Sequence, residues 1–139
     1  MTNLNIEPDS IIEKLSTVGD YELNRNKTKY DKLKKDNDNL LGSLELEVRN
    51  IRADGYDVID NPDSPEAEKQ VIRDKIKAKQ QEVEQARTDK EAIKLVLNRI
   101  DKMLEELVAK KNQEQILKYL KSQGITTLEQ VKAALSKNH

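Results

Sequence analysis

Two long tracts of this chain carry aliphatic side chains at seven-residue spacing, one on each side of an acidic stretch that contains proline. Leu23, Tyr30, Leu44 and Ile51 fall in the first repeat, with Asn37 at the intervening position. Ile76, Val83, Leu97 and Leu104 fall in the second, with Lys90 between them, and a companion set runs Ile72, Lys79, Ala86, Ile93, Ile100, Leu107. Such a repeat draws one apolar stripe along a helix, and a stripe needs a facing surface. Between the tracts, residues 53–65 hold the turn signal Asp54-Gly55 together with Pro62 and Pro65. The pattern therefore predicts helices over about 20–52 and about 64–111, zipped as an antiparallel coiled-coil hairpin with its tip at 53–65.

Shorter elements flank the hairpin. Ser10 and Glu13 have the spacing of a capping box, Ile11, Ile12, Leu15 and Val18 give an apolar face, and Gly19 is a natural stop. A break is expected near Asn112, followed by a helix bearing Ile116, Leu117 and Leu120 that Gly124 closes. Thr126 and Glu129 suggest a second capping box, ahead of Leu128, Val131, Ala134 and Leu135. Pro65 behind Ser64 reads as a first-turn proline. The apolar stripe broadens over residues 93–108, which asks for more than one neighbour. The expected fold is all-α: one domain over 1–139, its hairpin at 20–111, with short helices at 10–18 and 112–136 packed as a small bundle. Gly42 is the weak point of the first long helix, costing about 1 kcal/mol against alanine unless a neighbour packs closely there.

Composition supports long solvated helices. Charged residues make up 37% of the chain, yet 25 basic and 26 acidic side chains almost cancel. Mean hydropathy is −0.87, but the apolar spacing is too regular for a disordered chain. The charge is uneven: residues 1–65 carry 14 acidic and 9 basic side chains, and residues 66–139 carry 12 and 16. The two halves attract one another, within a chain or head-to-tail between chains. The N-terminus lacks a basic region followed by an apolar run, and no stretch has the roughly 18 apolar residues of a membrane span. With no cysteine, a cytoplasmic location is expected.

The chemistry-bearing residues are few. Without cysteine there is no thiol nucleophile or thiolate metal site, and the single histidine is His139. The four glycines form no phosphate-cradling run, so no enzyme is expected. Asp54, Asp57, Asp60 and Asp63 recur every three residues ahead of Glu66. They lack the alternate-residue ligands and mid-loop glycine of a calcium loop, so no metal and no cofactor is expected. Lys118, Lys121 and Lys132 lie in a net-positive C-terminal region and are the candidates for nucleic-acid contact, although phosphate-binding arginines are sparse there. Protein–protein association is the leading expectation, as a homodimer or hetero-complex, because seams with polar interruptions suit selective pairing. Tyr56, Asp57, Ile59 and Asp60 at the tip are the expected contacts, since apolar residues on an exposed loop invite a partner. A scaffold, adaptor or inhibitor is therefore predicted, and the Lys-, Asn- and Asp-rich usage suits a small phage-encoded protein.

Overall fold

The structure, a computed structural model, describes residues 4–137. The chain is all-helical among the described residues, with α1 at Pro8–Leu15, α2 at Asp20–Ile59, α3 at Glu66–Ser122 and α4 at Leu128–Lys137. None of these helices is long and apolar enough to cross a membrane. The long helices α2 and α3 pack against each other. Their contacts fix the direction: Lys27 meets Asp101 at 2.8 Å, Asp38 meets Lys90 at 3.9 Å, and Glu47 meets Lys79 at 2.7 Å. Near the far end Gly55 lies against Ile72. Partner numbers fall along α3 as they rise along α2, so the two run in opposite directions. These exposed ion pairs mark the register and add little to stability.

On α2 burial follows the first repeat as far as Leu44, and Ile51 is only half-buried. Leu23, Tyr30, Asn37 and Leu44 are buried at seven-residue steps, and Leu41, Val48 and Gly55 form the second row. On α3, Ala86, Ile93 and Ile100 are buried in one row and Asp89, Val96 and Met103 in another. Lys90, expected in the seam, is exposed, and Asp89 takes the inward position beside it. The slip of one position is the drift of a 3.6-residue helix against a seven-residue repeat. A core of Leu41, Leu44, Val48, Val83 and Ala86, with Leu40 against it, sits midway along the pair. Leu95 and Val108, counted within the broad stripe, face solvent.

Asn37 contributes more than burial. Its side chain is only 3% exposed, and Nδ2 donates to the Ala86 carbonyl at 2.8 Å. Side chain and backbone are thus tied across the two helices. Oδ1 is buried with no protein donor. A polar group in an apolar seam disfavours slipped pairings, because a slip would strand it without its acceptor.

The ends of the helices correct several expectations. Helix α1 begins at Pro8 behind Glu7, which makes no side-chain cap bond, so the Ser10–Glu13 box does not form. Proline supplies the first-turn backbone angle, and Ser10 lies inside the helix at its third position, where it cannot act as the cap. Gly19 caps the start of α2 and does not end α1; its carbonyl accepts from Leu23 N–H at 3.1 Å. Asp54-Gly55 is no turn: α2 runs through it to Ile59. A glycine that reads as a turn signal is here the point where Ile72 of α3 packs on the α2 backbone. The loop is therefore only residues 60–65. There Asn61 Oδ1 accepts from Asp63 N–H and the Asn61 carbonyl from Ser64 N–H, with Pro62 between them, an Asx-type turn. The Pro65 carbonyl accepts from Glu68 and Lys69, which places Pro65 just ahead of the first helical residue. Gly42, by contrast, is exposed, and no neighbouring helix comes within 4 Å of where a methyl group would stand.

The described chain divides into two compact units, residues 1–101 and 102–139. The first holds α1, α2 and α3 up to Asp101. Leu15 of α1 is buried there, and Ile11, Ile12 and Val18 are half-buried. Ile93, Val96 and Ile100, each with no exposed surface, mark the broad buried stretch of α3 in this unit. The second unit holds the remainder of α3 and α4. Helix α1 belongs to the first unit and α4 to the second. Helix α3 does not break at Asn112; it continues to Ser122, because nothing in Asn112-Gln113-Glu114-Gln115 stops a helix.

Candidate functional site

Two regions carry the residues singled out by sequence. The first is the acidic end of α2 and the loop beyond it. Residues 53–68 hold six acidic side chains and no basic one. Tyr56, Asp57 and Ile59 stand in the last turns of α2 and not on a loop, and Asp60 is its C-cap, donating N–H to the Tyr56 carbonyl at 3.0 Å. Tyr56 is 63% exposed, and Asp57 and Asp60 are exposed with it. Val58 and Ile59 are half-buried, so their apolar surface belongs partly to the helix pair. Asp54 and Asp57 are helical, and Asp63 is held by the Asn61 turn. Glu66 takes a 2.7 Å bond from Arg73, which holds its carboxyl below the usual value. Among the described residues no three carboxylates or histidines gather to hold a metal ion.

The second region is the corner between α3 and α4. Gly124, at φ +75°, ends α3 in the left-handed conformation that a glycine adopts without strain. Ile125 N–H reaches back to the Leu120 carbonyl at 2.8 Å and Gly124 N–H to Lys121 at 3.0 Å, the double bond of a Schellman stop. The following cap is one residue later than expected. Thr127 Oγ1 accepts from Gln130 N–H at 3.2 Å, and Gln130 Oε1 accepts from Thr127 N–H at 3.1 Å, so the box joins Thr127 to Gln130 and not Thr126 to Glu129. These bonds hold α4 beside the end of α3. A groove of about 480 Å³ opens there, lined by Leu117, Leu120, Ile125, Leu128 and Val131, with Lys121 at its edge.

This corner is poor in core. Leu120, Ile125, Val131 and Ala134 are half-buried, whereas Ile116, Leu117, Tyr119, Leu128 and Leu135 are exposed. Leu128 is 69% exposed. Lys118, Lys121 and Lys132 are also exposed, and residues 102–139 carry seven basic and four acidic side chains. Sequence reading named these lysines but overlooked the apolar groove beside them. The clue was available in Ile116, Leu117 and Leu128, which are too many large aliphatics for two short helices to bury.

A third cleft lies along the long helix pair, between Glu45, Arg49 and Arg52 of α2 and Gln80, Glu84 and Arg87 of α3. Arg87 is engaged there by Glu45 at 3.4 Å and Glu84 at 3.0 Å. Hydroxyls are committed elsewhere: those of Ser16, Thr28, Thr88, Ser122 and Ser136 donate to carbonyls three or four residues earlier in the chain. Such bonds serve the helix backbone. No family model, curated protein or solved structure matches this chain.

Proposed function

We propose that this protein is a non-catalytic interaction module, a scaffold, adaptor or inhibitor of the kind small phages encode, working in the cytoplasm through helical surfaces. On this reading α2 and α3 form an antiparallel coiled-coil hairpin whose role is to project an acidic end. The observation that carries it is Tyr56: a large ring, mostly in solvent, among six carboxylates at the end of the buried seam. An exposed aromatic on a rigid helix is the kind of anchor that dominates binding energy, since little conformational freedom is lost on contact. Asp57 and Asp60 would steer a basic partner toward it, and Ile59 would extend the apolar contact. The test is capture of a partner from the native host by the intact chain and by a Tyr56→Ser, Asp57→Asn variant. Loss of capture with unchanged helical circular dichroism is expected. Equal capture by both removes this end of the molecule from the function.

A second reading rests on Lys118, Lys121 and Lys132, exposed on a unit with excess positive charge. It makes the corner a nucleic-acid contact, with retention on DNA that weakens steeply as salt rises. The absence of retention at low salt would dismiss it.

A further inference from the structure

The two regions described above are complementary to one another. One is a groove of about 480 Å³ walled by Leu117, Leu120, Ile125, Leu128 and Val131, with Lys121 on its rim. Lys118 stands one helical turn from Lys121 on the same stripe of α3, and both are exposed. The other is a helix end with an exposed tyrosine and six carboxylates, bracketed by Arg52 and Lys69 but interrupted by no base. Aliphatic walls with a lysine rim suit an acidic amphipathic helix end that presents an aromatic side chain, and this chain carries such an end.

We propose that the groove is filled by a second copy of this chain, which inserts the acidic end of its α2, with Tyr56 against the aliphatic walls and Asp57 and Asp60 toward Lys118 and Lys121. The inference rests on the interaction reading and names the partner. Docking between chains then covers two features that the structure leaves open: the exposed Tyr56 and the thin core of the α3–α4 corner. Each chain offers one end and one groove, so reciprocal docking closes a two-fold dimer and one-way docking grows head-to-tail until a ring closes. Partial neutralisation of opposite charges makes it sensitive to salt.

Charge reversal tests this directly with the full chain. One variant carries Asp57→Lys and Asp60→Lys; the other carries Lys118→Glu and Lys121→Glu. All four positions are exposed, so the fold tolerates the changes, and circular dichroism verifies it. In analytical ultracentrifugation the unaltered chain is expected to gain mass with concentration and lose it in high salt. Each variant alone should associate roughly tenfold or more weakly, because it sets like charges against each other. Mixing the two should restore association, since the reversed positions 57 and 60 of one variant then meet the reversed positions 118 and 121 of the other, and Asp57 and Asp60 meet Lys118 and Lys121. A Leu128→Ser variant, which removes an aliphatic wall without altering charge, should also weaken assembly.

Three results would overturn the proposal. The unaltered chain could remain monomeric at every concentration, which would leave capture of a foreign partner standing on its own test. Assembly could persist in both reversed variants and in Leu128→Ser. Or the lysine reversals could abolish retention on DNA while mass stays unchanged, which would give the groove to nucleic acid.

Discussion

Two glycines in the same helix, thirteen positions apart, should respond oppositely to alanine. At Gly42 an added methyl group meets nothing within 4 Å. Alanine there should gain the full helix-propensity difference, about 1 kcal/mol. At Gly55 the same methyl would stand 2.6 Å from Ile72 Cγ2 and 3.2 Å from Cδ1. Cγ2 hangs directly on the branched Cβ of isoleucine, whose first torsion is stiff in a helix, so it cannot swing aside as a chain end would. Overpacking of this kind costs about 1–3 kcal/mol, which cancels or exceeds the propensity gain. Gly55→Ala should therefore be neutral to destabilising by about 2 kcal/mol, the difference of those two effects. Urea denaturation followed by circular dichroism measures both variants. A double-mutant cycle with Ile72→Ala isolates the contact: in that background Gly55→Ala should become favourable, because the obstructing methyl is gone. If Gly42→Ala and Gly55→Ala stabilise equally, α2 and α3 do not approach each other at this point, and the close packing of Ile72 on Gly55 is wrong.

Other outcomes follow from the same structure. Replacing Asn37 by leucine removes both its bond to Ala86 and the buried Oδ1; it should raise stability by about 1–2 kcal/mol while broadening the mass distribution in solution, and a lower urea midpoint would show that the oxygen is satisfied. Gly124→Ala forces a side chain into positive φ and should cost about 1 kcal/mol, with increased proteolysis confined to the α3–α4 corner; an unchanged digestion pattern would contradict the Schellman stop. Stability should fall in strong alkali. The hydrogen bond that Lys27 donates to Asp101, with that carboxylate's charge, raises Lys27, hydrogen bonds donated to Glu47 and then Glu82 raise Lys79, and burial raises Tyr30. A raised folded-state value gives stability that is present below the ordinary 10.0 to 10.5 and lost as pH climbs through the raised values. A urea midpoint constant across that range would contradict these contacts. In acid the opposite case applies to Glu66, lowered by Arg73, whose contribution is present above its ordinary 4.5 and lost as pH drops through the depressed value.

The seam was the most legible feature, because burial obeys period. Leu23, Tyr30, Asn37 and Leu44 are read from spacing alone, polar Asn37 included. What spacing could not settle was the meaning of a single glycine. Gly55 next to Asp54 has the composition of a turn, but it is helical, and its lack of a side chain serves the close approach of Ile72. Prolines were the better guide: Pro62 and Pro65 both lie in the true loop. Caps slipped by a residue at Thr127 because Thr126 with Glu129 and Thr127 with Gln130 fit the same rule, and the backbone geometry after Gly124 chooses between them. Asp89 escaped notice because a carboxylate is rarely buried. Gln85 Nε2 bonds its Oδ1 at 3.1 Å, and its spacing from Val96 and Met103 by sevens was the available signal. For the candidate sites, Tyr56 and the lysines were visible as types. The groove beside the lysines was not, since it depends on how far α4 leaves the end of α3 uncovered.

The opposed pairing of α2 and α3 within one chain can be measured by placing spin labels at Asp38→Cys and Lys90→Cys in a protein with no native cysteine. Their side chains meet at 3.9 Å across the pair, so doubly labelled chains diluted in unlabelled protein should give a distance within roughly 20 Å, as for helices about 10 Å apart. Moving the second label to Asp74 shifts it about 24 Å along the axis, the rise of sixteen helical residues, so across helices about 10 Å apart the distance should grow to about 26 Å. A short distance that disappears on dilution, or one that shortens on moving to Asp74, would contradict the pairing.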